Sequence, residues 1–275
     1  MRLTLGFSPC PNDTFIFEAL VHRRVDTEGI EYDWFLADVE ELNRRALDGS
    51  VDITKMSFHA YAWAANNYLL LDSGSALGRN NGPLVVSRRK IYPDELNDAL
   101  IAIPGRYTTA NLLFSIFWPG AQRKREYLFS DIPEAVLSGE ADAGLIIHET
   151  RFTYQAMGLK KVADTGEEWD KLTGLPIPLG GIVVHRSVSD DTAARVNRAI
   201  RRSLEYARAN PSASIDFIRK NARELEAEVT REHINLYVND FSLSLGKEGR
   251  EAVERLFAVA YERKVTGALP ERIFL

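Results

Sequence analysis

Leu3, Leu5 and Phe7 alternate with polar or small residues, the period-two mark of a half-buried strand. A proline-rich polar turn follows. Beyond it Phe15, Ile16, Ala19 and Leu20 are spaced for one face of a helix that Asn12 or Asp13 can cap. Period two returns at Ile30, Tyr32, Trp34 and Leu36. Asp38 and Glu41 then have capping-box spacing, and the helix they open turns Val39, Leu42 and Ala46 inward before Gly49 ends it. Short apolar runs predict strands over 51–54, 68–71 and 83–86, with an Ala- and aromatic-rich helix from Ser57. The middle of the chain repeats this grammar. Strands are predicted at 99–103, 127–129, 143–147 and 181–184, and helices at 108–117 and 133–137. From Asp190 the period is helical throughout, with helices over 190–208, 212–222, about 230–241 and 246–264.

Strands separated by helices imply an α/β fold with a largely parallel sheet. Two βα units of similar size, joined by short segments near 86–90 and 179–184, predict two lobes linked by a double crossover. Residues 1–88 with 183–275 form the first lobe, and 89–182 the second. The apolar stripe Ile200, Leu204, Ala207 needs a partner, so the helical tail is expected to pack back on the first lobe. Ligands of such folds bind outside the carboxyl ends of the strands, here in the cleft between lobes.

Composition narrows the function. The 275 residues carry a formal charge of −5, which disfavours a nucleic-acid partner. The single cysteine, Cys10, forms no intrachain disulfide and suits a reducing compartment. Neither a signal-peptide pattern nor a run of ~18 apolar residues occurs, so a soluble, cytoplasmic protein away from membranes is expected.

Four junctions concentrate chemistry at strand ends. Ser8-Pro9-Cys10-Pro11-Asn12-Asp13-Thr14 places short polar side chains where a helix begins, a pattern that suits either an anion site or plain capping. Lys55-Met56-Ser57 puts a lysine at a strand end and a serine at a helix start, where they can hold a carboxylate or sit at the surface. Thr108-Thr109-Ala110 opens a helix after Pro104-Gly105 and offers N–H and hydroxyl donors without P-loop or dinucleotide spacing. His148 ends an apolar strand, where a side chain suited to acid–base work faces the cleft or a satisfied core. Glu149 reads as a structural or capping carboxylate. His59 can line the cleft, His22 suits a helix-end contact, His185 is expected at the surface and His233 lies in the helical tail. Cys10 reads as packing despite its helix start, and Leu179-Gly180-Gly181 as a hinge, cleft wall or loop. No zinc-type His/Cys spacing occurs.

Ser8-Pro9-Cys10-Pro11-Asn12-Asp13-Thr14-Phe15, Lys55-Met56-Ser57, Thr108-Thr109-Ala110, His148-Glu149 and Leu179-Gly180-Gly181, in this order up to about residue 186, resemble the 1,4-dihydroxy-6-naphthoate synthase family of the futalosine route to menaquinone. The resemblance implies a two-lobed type II periplasmic-binding-protein fold with a helical C-terminal segment, in a cytoplasmic lyase-type enzyme. It implies conversion of cyclic dehypoxanthinyl futalosine to 1,4-dihydroxy-6-naphthoate, with no metal or organic cofactor. Its partner is a small-molecule carboxylate substrate. By resemblance His148 is the proton acceptor, and Lys55, Met56, Ser57, Thr109 and Ala110 contact substrate. Asn12, Thr14 and Thr108 are expected to line the same cleft. Two alternatives stand beside this reading: chorismate dehydratase of the same pathway, against which the SPCPNDT opening speaks, and a non-catalytic small-carboxylate-binding protein on the same fold.

Overall fold

The computed structural model describes residues 1–79, 81–222 and 226–275. The first run of elements is β1 (Arg2–Phe7), α1 (Pro11–Val21), β2 (Glu31–Leu36), α2 (Val39–Leu47), β3 (Ile53–Ser57), α3 (Phe58–Ala64), β4 (Tyr68–Leu70) and β5 (Ala76–Gly78). The chain continues through β6 (Leu84–Ser87), β7 (Ile101–Ile103), α4 (Thr109–Phe117), β8 (Lys124–Glu126), α5 (Ile132–Ser138), β9 (Ala143–Ile146), α6 (Thr150–Thr153), β10 (Lys160–Asp164), α7 (Thr165–Thr173) and β11 (Ile177–His185). Helices α8 (Asp190–Ala209), α9 (Ile215–Asn221), α10 (Ala227–Tyr237), α11 (Asp240–Leu243) and α12 (Gly246–Glu262) follow.

The strands form two sheets. The first has the order β2-β1-β3-β11-β4, with β5 also on β11; the second has the order β10-β6-β9-β7-β8. Neither is largely parallel, as the alternating pattern had suggested. The β1–β2, β1–β3, β7–β8 and β7–β9 pairs are parallel. Every pair made by β11 or β6 is antiparallel. Those two strands are where the chain passes from one sheet to the other, so a helical crossover within one sheet does not set their direction. Sheet membership also departs from the expected boundaries at 88/89 and 182/183. Strand β6 lies inside the second sheet, between β10 and β9, and β11 belongs wholly to the first.

Local differences have local causes. The strand expected at 127–129 lies instead at β8, where Ile101 pairs with Lys124. Its charged, mostly exposed sequence hides the alternation. Strand β10 was missed for the same reason, since Lys160 and Lys161 are both exposed. Helix α7 follows it directly, capped by the Asp164 carboxylate, which accepts from the N–H groups of Gly166 and Glu167. Strand β11 starts at Ile177 rather than 181, because two glycines let it press on its neighbours. A Cβ on Gly181 would sit 2.3 Å from Leu70, and one on Gly180 would sit 2.8 Å from the Met56 carbonyl.

The tail covers the first sheet. Helix α8 buries Val196, Ile200, Leu204 and Ala207 with Leu5 and Phe7 of β1 and Phe17 and Leu20 of α1. Each of the larger of these side chains, Ala207 excepted, contributes about 1.5–3 kcal/mol through burial. Helix α12 sends Leu256 and Phe257 into a second cluster with Phe58, Tyr61, Leu112 and Trp169. That cluster includes residues of α3 and α4, which connect to different sheets, so one body of apolar side chains backs the junction between them.

Candidate active site

Helix α1 begins without a side-chain cap. Cys10 is its N-cap and Pro11 its first residue, so Asn12 and Asp13 lie inside the first turn rather than at the cap. Asp13 is 1 % exposed. Its Oδ2 accepts from the Ser8 hydroxyl at 2.7 Å and from the Ser8 N–H at 3.2 Å. Its Oδ1 accepts from Asn12 Nδ2 at 2.9 Å and faces Lys55 Nζ at 3.1 Å. The anion expected at this helix start is therefore supplied by the chain itself, and the Lys55 ammonium at the end of β3 is offset by it. Thr14 stays off the cleft: its hydroxyl donates back to the carbonyls of Cys10 and Pro11 at 3.0 and 3.2 Å. Burial pushes the Cys10 thiol well above its ordinary range, in keeping with packing rather than reactivity.

Ser57 closes β3. Asn43 of α2 grips it at both atoms, receiving the Ser57 N–H at 2.9 Å and donating to its Oγ at 3.1 Å. Opposite stands the start of α4. Thr108 is its N-cap and accepts from the Asn111 N–H. The first-turn N–H groups at Thr109 and Ala110 are those that a helix leaves without an intrahelical acceptor. The Thr109 hydroxyl accepts from the Phe58 N–H at 2.9 Å and donates to the Leu179 carbonyl at 2.5 Å, pinning this helix start to both β11 and α3.

His148 follows the end of β9 with φ of +57°, a left-handed conformation uncommon for a residue with a Cβ. Such strain of about 1–3 kcal/mol collects at functional sites. The ring packs on Phe129 with centroids 5.0 Å apart, and it stacks parallel to His233 at 6.0 Å. Among the described residues, no side-chain hydrogen bond is made by His148. Burial lowers its pKa from the ordinary value, and Glu149 and Asp13 oppose this, so the neutral imidazole is the resting form.

These parts meet around one cavity. Ser8, Asn12, Asp13, Lys55, Met56 and Ser57 line it from the first sheet, with Leu179 and Gly180 of β11. Thr108, Thr109, Ala110, Ile147 and His148 line it from the second, and Asn81, Pro83 and Tyr237 complete the wall. A family model described as menaquinone biosynthesis matches residues 3–262. The chain belongs to that family. A relative from Thermus thermophilus named 1,4-dihydroxy-6-naphtoate synthase is 46% identical over 273 residues, covering 99% of each chain. A crystal structure of an Archaeoglobus fulgidus protein superposes with a TM-score of 0.90 at 34% identity, over 96% of this chain and 98% of that one. The periplasmic aliphatic sulphonate binding protein of Escherichia coli superposes with a TM-score of 0.68 at 12% identity, over 100% of this chain and 92% of that one. The menaquinone biosynthesis chain thus has a periplasmic-binding-protein-like fold with a helical C-terminal segment.

Of the residues singled out in the sequence, Asn12, Lys55, Met56, Ser57, Thr108, Thr109, Ala110 and His148 come together, while Thr14 and His59 do not line the cavity. The His59 Nδ1 lies 3.3 Å from the Thr108 carbonyl, and burial takes its pKa down to about 4. Glu149 is the N-cap of α6 but makes no capping hydrogen bond with its side chain. Its Oε2 lies 4.0 Å from His233 Nδ1. His233, like Asn81 and Tyr237 of the wall, is a residue that sequence reasoning missed. It is 0% exposed, and its Nε2 lies 2.9 Å from Asn12 Oδ1. Because the Asn12 amide nitrogen is turned to Asp13, that oxygen accepts and His233 Nε2 carries the proton. Nothing local marks His233; only the packing of α10 against α1 brings it beside His148.

Proposed function

We propose that the protein is a 1,4-dihydroxy-6-naphthoate synthase acting on cyclic dehypoxanthinyl futalosine, with His148 as the base that starts the reaction. The observation that carries this reading is His148 itself. It is a neutral imidazole with no side-chain hydrogen bond among the described residues, held in a left-handed turn on the wall of the cavity between the sheets. The full-length match to a relative of that name supports the choice of substrate. The substrate is a spiro-cyclic benzoate carrying a sugar-derived ring. Removal of a proton beside its carbonyl triggers ring fragmentation, and aromatisation drives the reaction forward.

A base kept neutral near physiological pH accepts that proton. The first-turn N–H groups at Thr109 and Ala110 supply the donors that a developing enolate oxygen needs. Lys55, Met56 and Ser57 form the floor for the carboxylate end of the substrate. Since Asp13 offsets the Lys55 charge, this floor holds its ligand by directed hydrogen bonds more than by net charge. The sheet memberships support two lobes that close over the ligand and exclude water. The same reading makes the protein a cytoplasmic lyase-type enzyme. No helix among the described residues is long and apolar enough to cross a membrane.

The test is turnover of cyclic dehypoxanthinyl futalosine by purified protein, followed by mass spectrometry for the dihydroxynaphthoate. His148→Ala is expected to abolish product while substrate still binds. A near-normal rate in that variant sinks the assignment of the base. Substrate binding without product by the unaltered chain would point instead to a non-catalytic binder.

A further inference from the structure

Asn81 sits on the segment that carries the chain from β5 in the first sheet to β6 in the second, and it lines the cavity. Its side chain is 1% exposed, yet neither Nδ2 nor Oδ1 has a hydrogen-bond partner among the described residues. Asp13, Lys55, Ser57 and Thr109 on the same wall differ, since each is engaged within the chain. The lining also includes Ala76, Pro83 and Gly180, which present apolar atoms and backbone. The amide is also held in place. A Cβ on Gly78 would lie 2.5 Å from Asn81 Nδ2, so the strand passes directly beneath it.

An amide buried with both atoms unmet costs free energy that a small apolar residue would not. Its position on the cavity wall supplies what the chain does not, a ligand group. An amide presents a donor and an acceptor side by side. A carboxylate, which only accepts, would satisfy Nδ2 and repel Oδ1. A hydroxyl satisfies both. We propose that Asn81 is a specificity-determining residue that binds the hydroxyl groups of the sugar-derived ring of the substrate. This rests on the reading given under Proposed function, and it assigns to the crossover segment the part of the substrate that leaves during fragmentation. The aromatic end, which becomes the product, is left to the floor at Lys55–Ser57 and the start of α4.

The experiment compares steady-state kinetics of the unaltered chain, Asn81→Ala and Asn81→Asp, with inhibition by 1,4-dihydroxy-6-naphthoate measured for each. Both variants are expected to raise KM about tenfold, the scale of one lost hydrogen-bonded site. They should leave kcat in place, because the contact is made equally before and during the chemistry. Product inhibition should stay as in the unaltered chain, since the product lacks the sugar-derived ring. The Asn81→Ala protein should melt no lower than the parent, because no described residue loses a hydrogen-bond partner. An unchanged KM in both variants overturns the proposal. So does a KM that rises together with the product inhibition constant, which would place the amide on the aromatic end. A parent chain that fails to turn over removes the functional reading and this inference with it, whereas an active parent with indifferent variants removes this inference alone.

Discussion

The two walls of the cavity are built on opposite plans. On the first-sheet wall, Ser8, Asn12, Asp13, Lys55 and Ser57 are bound to one another or to Asn43. On the second-sheet wall, His148 stands in a left-handed turn against the rings of Phe129 and His233, with no side-chain hydrogen bond among the described residues. A charged network that is fully paired makes a rigid floor and has little left to give a reaction. A lone imidazole has no partner to lose and keeps its lone pair for a substrate. Stability and chemistry are thus assigned to different sheets, and substitutions should separate them.

The largest effect should come from His148→Asn. Asparagine tolerates the left-handed conformation, so the fold keeps its midpoint in urea while turnover falls by about 10²–10⁴-fold, the usual contribution of a general base. A variant that loses stability and rate together would break the contrast between the walls. Next comes Lys55→Met, which leaves the buried Asp13 carboxylate without its cation. Breaking such a pair costs about 3–5 kcal/mol, read by urea denaturation, and adding Asp13→Asn should restore part of it.

A third test uses pH. Burial disfavours the imidazolium of His148, so the base persists to lower pH than a free histidine, and the acid limb of kcat/KM should fall below pH 6.5. A limb at or above that value would show that the cavity does not hold His148 as described. The smallest effect belongs to Thr14→Val, which removes hydrogen bonds only to carbonyls of its own helix. It should cost about 1 kcal/mol or less and leave KM unchanged.

Much of this was legible in the residues. The strand and helix periods of β1, α1, β2 and α2 are local, and so are the turns that place Lys55, Thr109 and His148 at strand ends. What escaped was set by distant parts of the chain. The direction of β6 and β11 depends on which sheet they join, which no window of sequence records. Asp13 reads as a cap because it precedes the apolar helical face of Phe15, Ile16, Ala19 and Leu20, yet its partners Ser8 and Lys55 make it the anion of the site. His233 lies 85 residues beyond His148 in a helix of ordinary composition, and only tertiary packing stacks the two rings. Edge strands β8 and β10 carry lysines and arginine where alternation would have shown them.

The position of β11 also governs the order in which the chain can fold as it is made. Its register holds it between β3 and β4, with Gly181 opposite Met56 and Val183 opposite Leu70. Every strand of the second sheet has been synthesised once residue 164 is reached, whereas the first sheet waits for residue 185. Until then β1, β2 and β3 have an open edge, the kind of surface through which partly made chains associate. The sheet that begins first is finished last, so a nascent chain of this protein should protect its second sheet from proteolysis before its first.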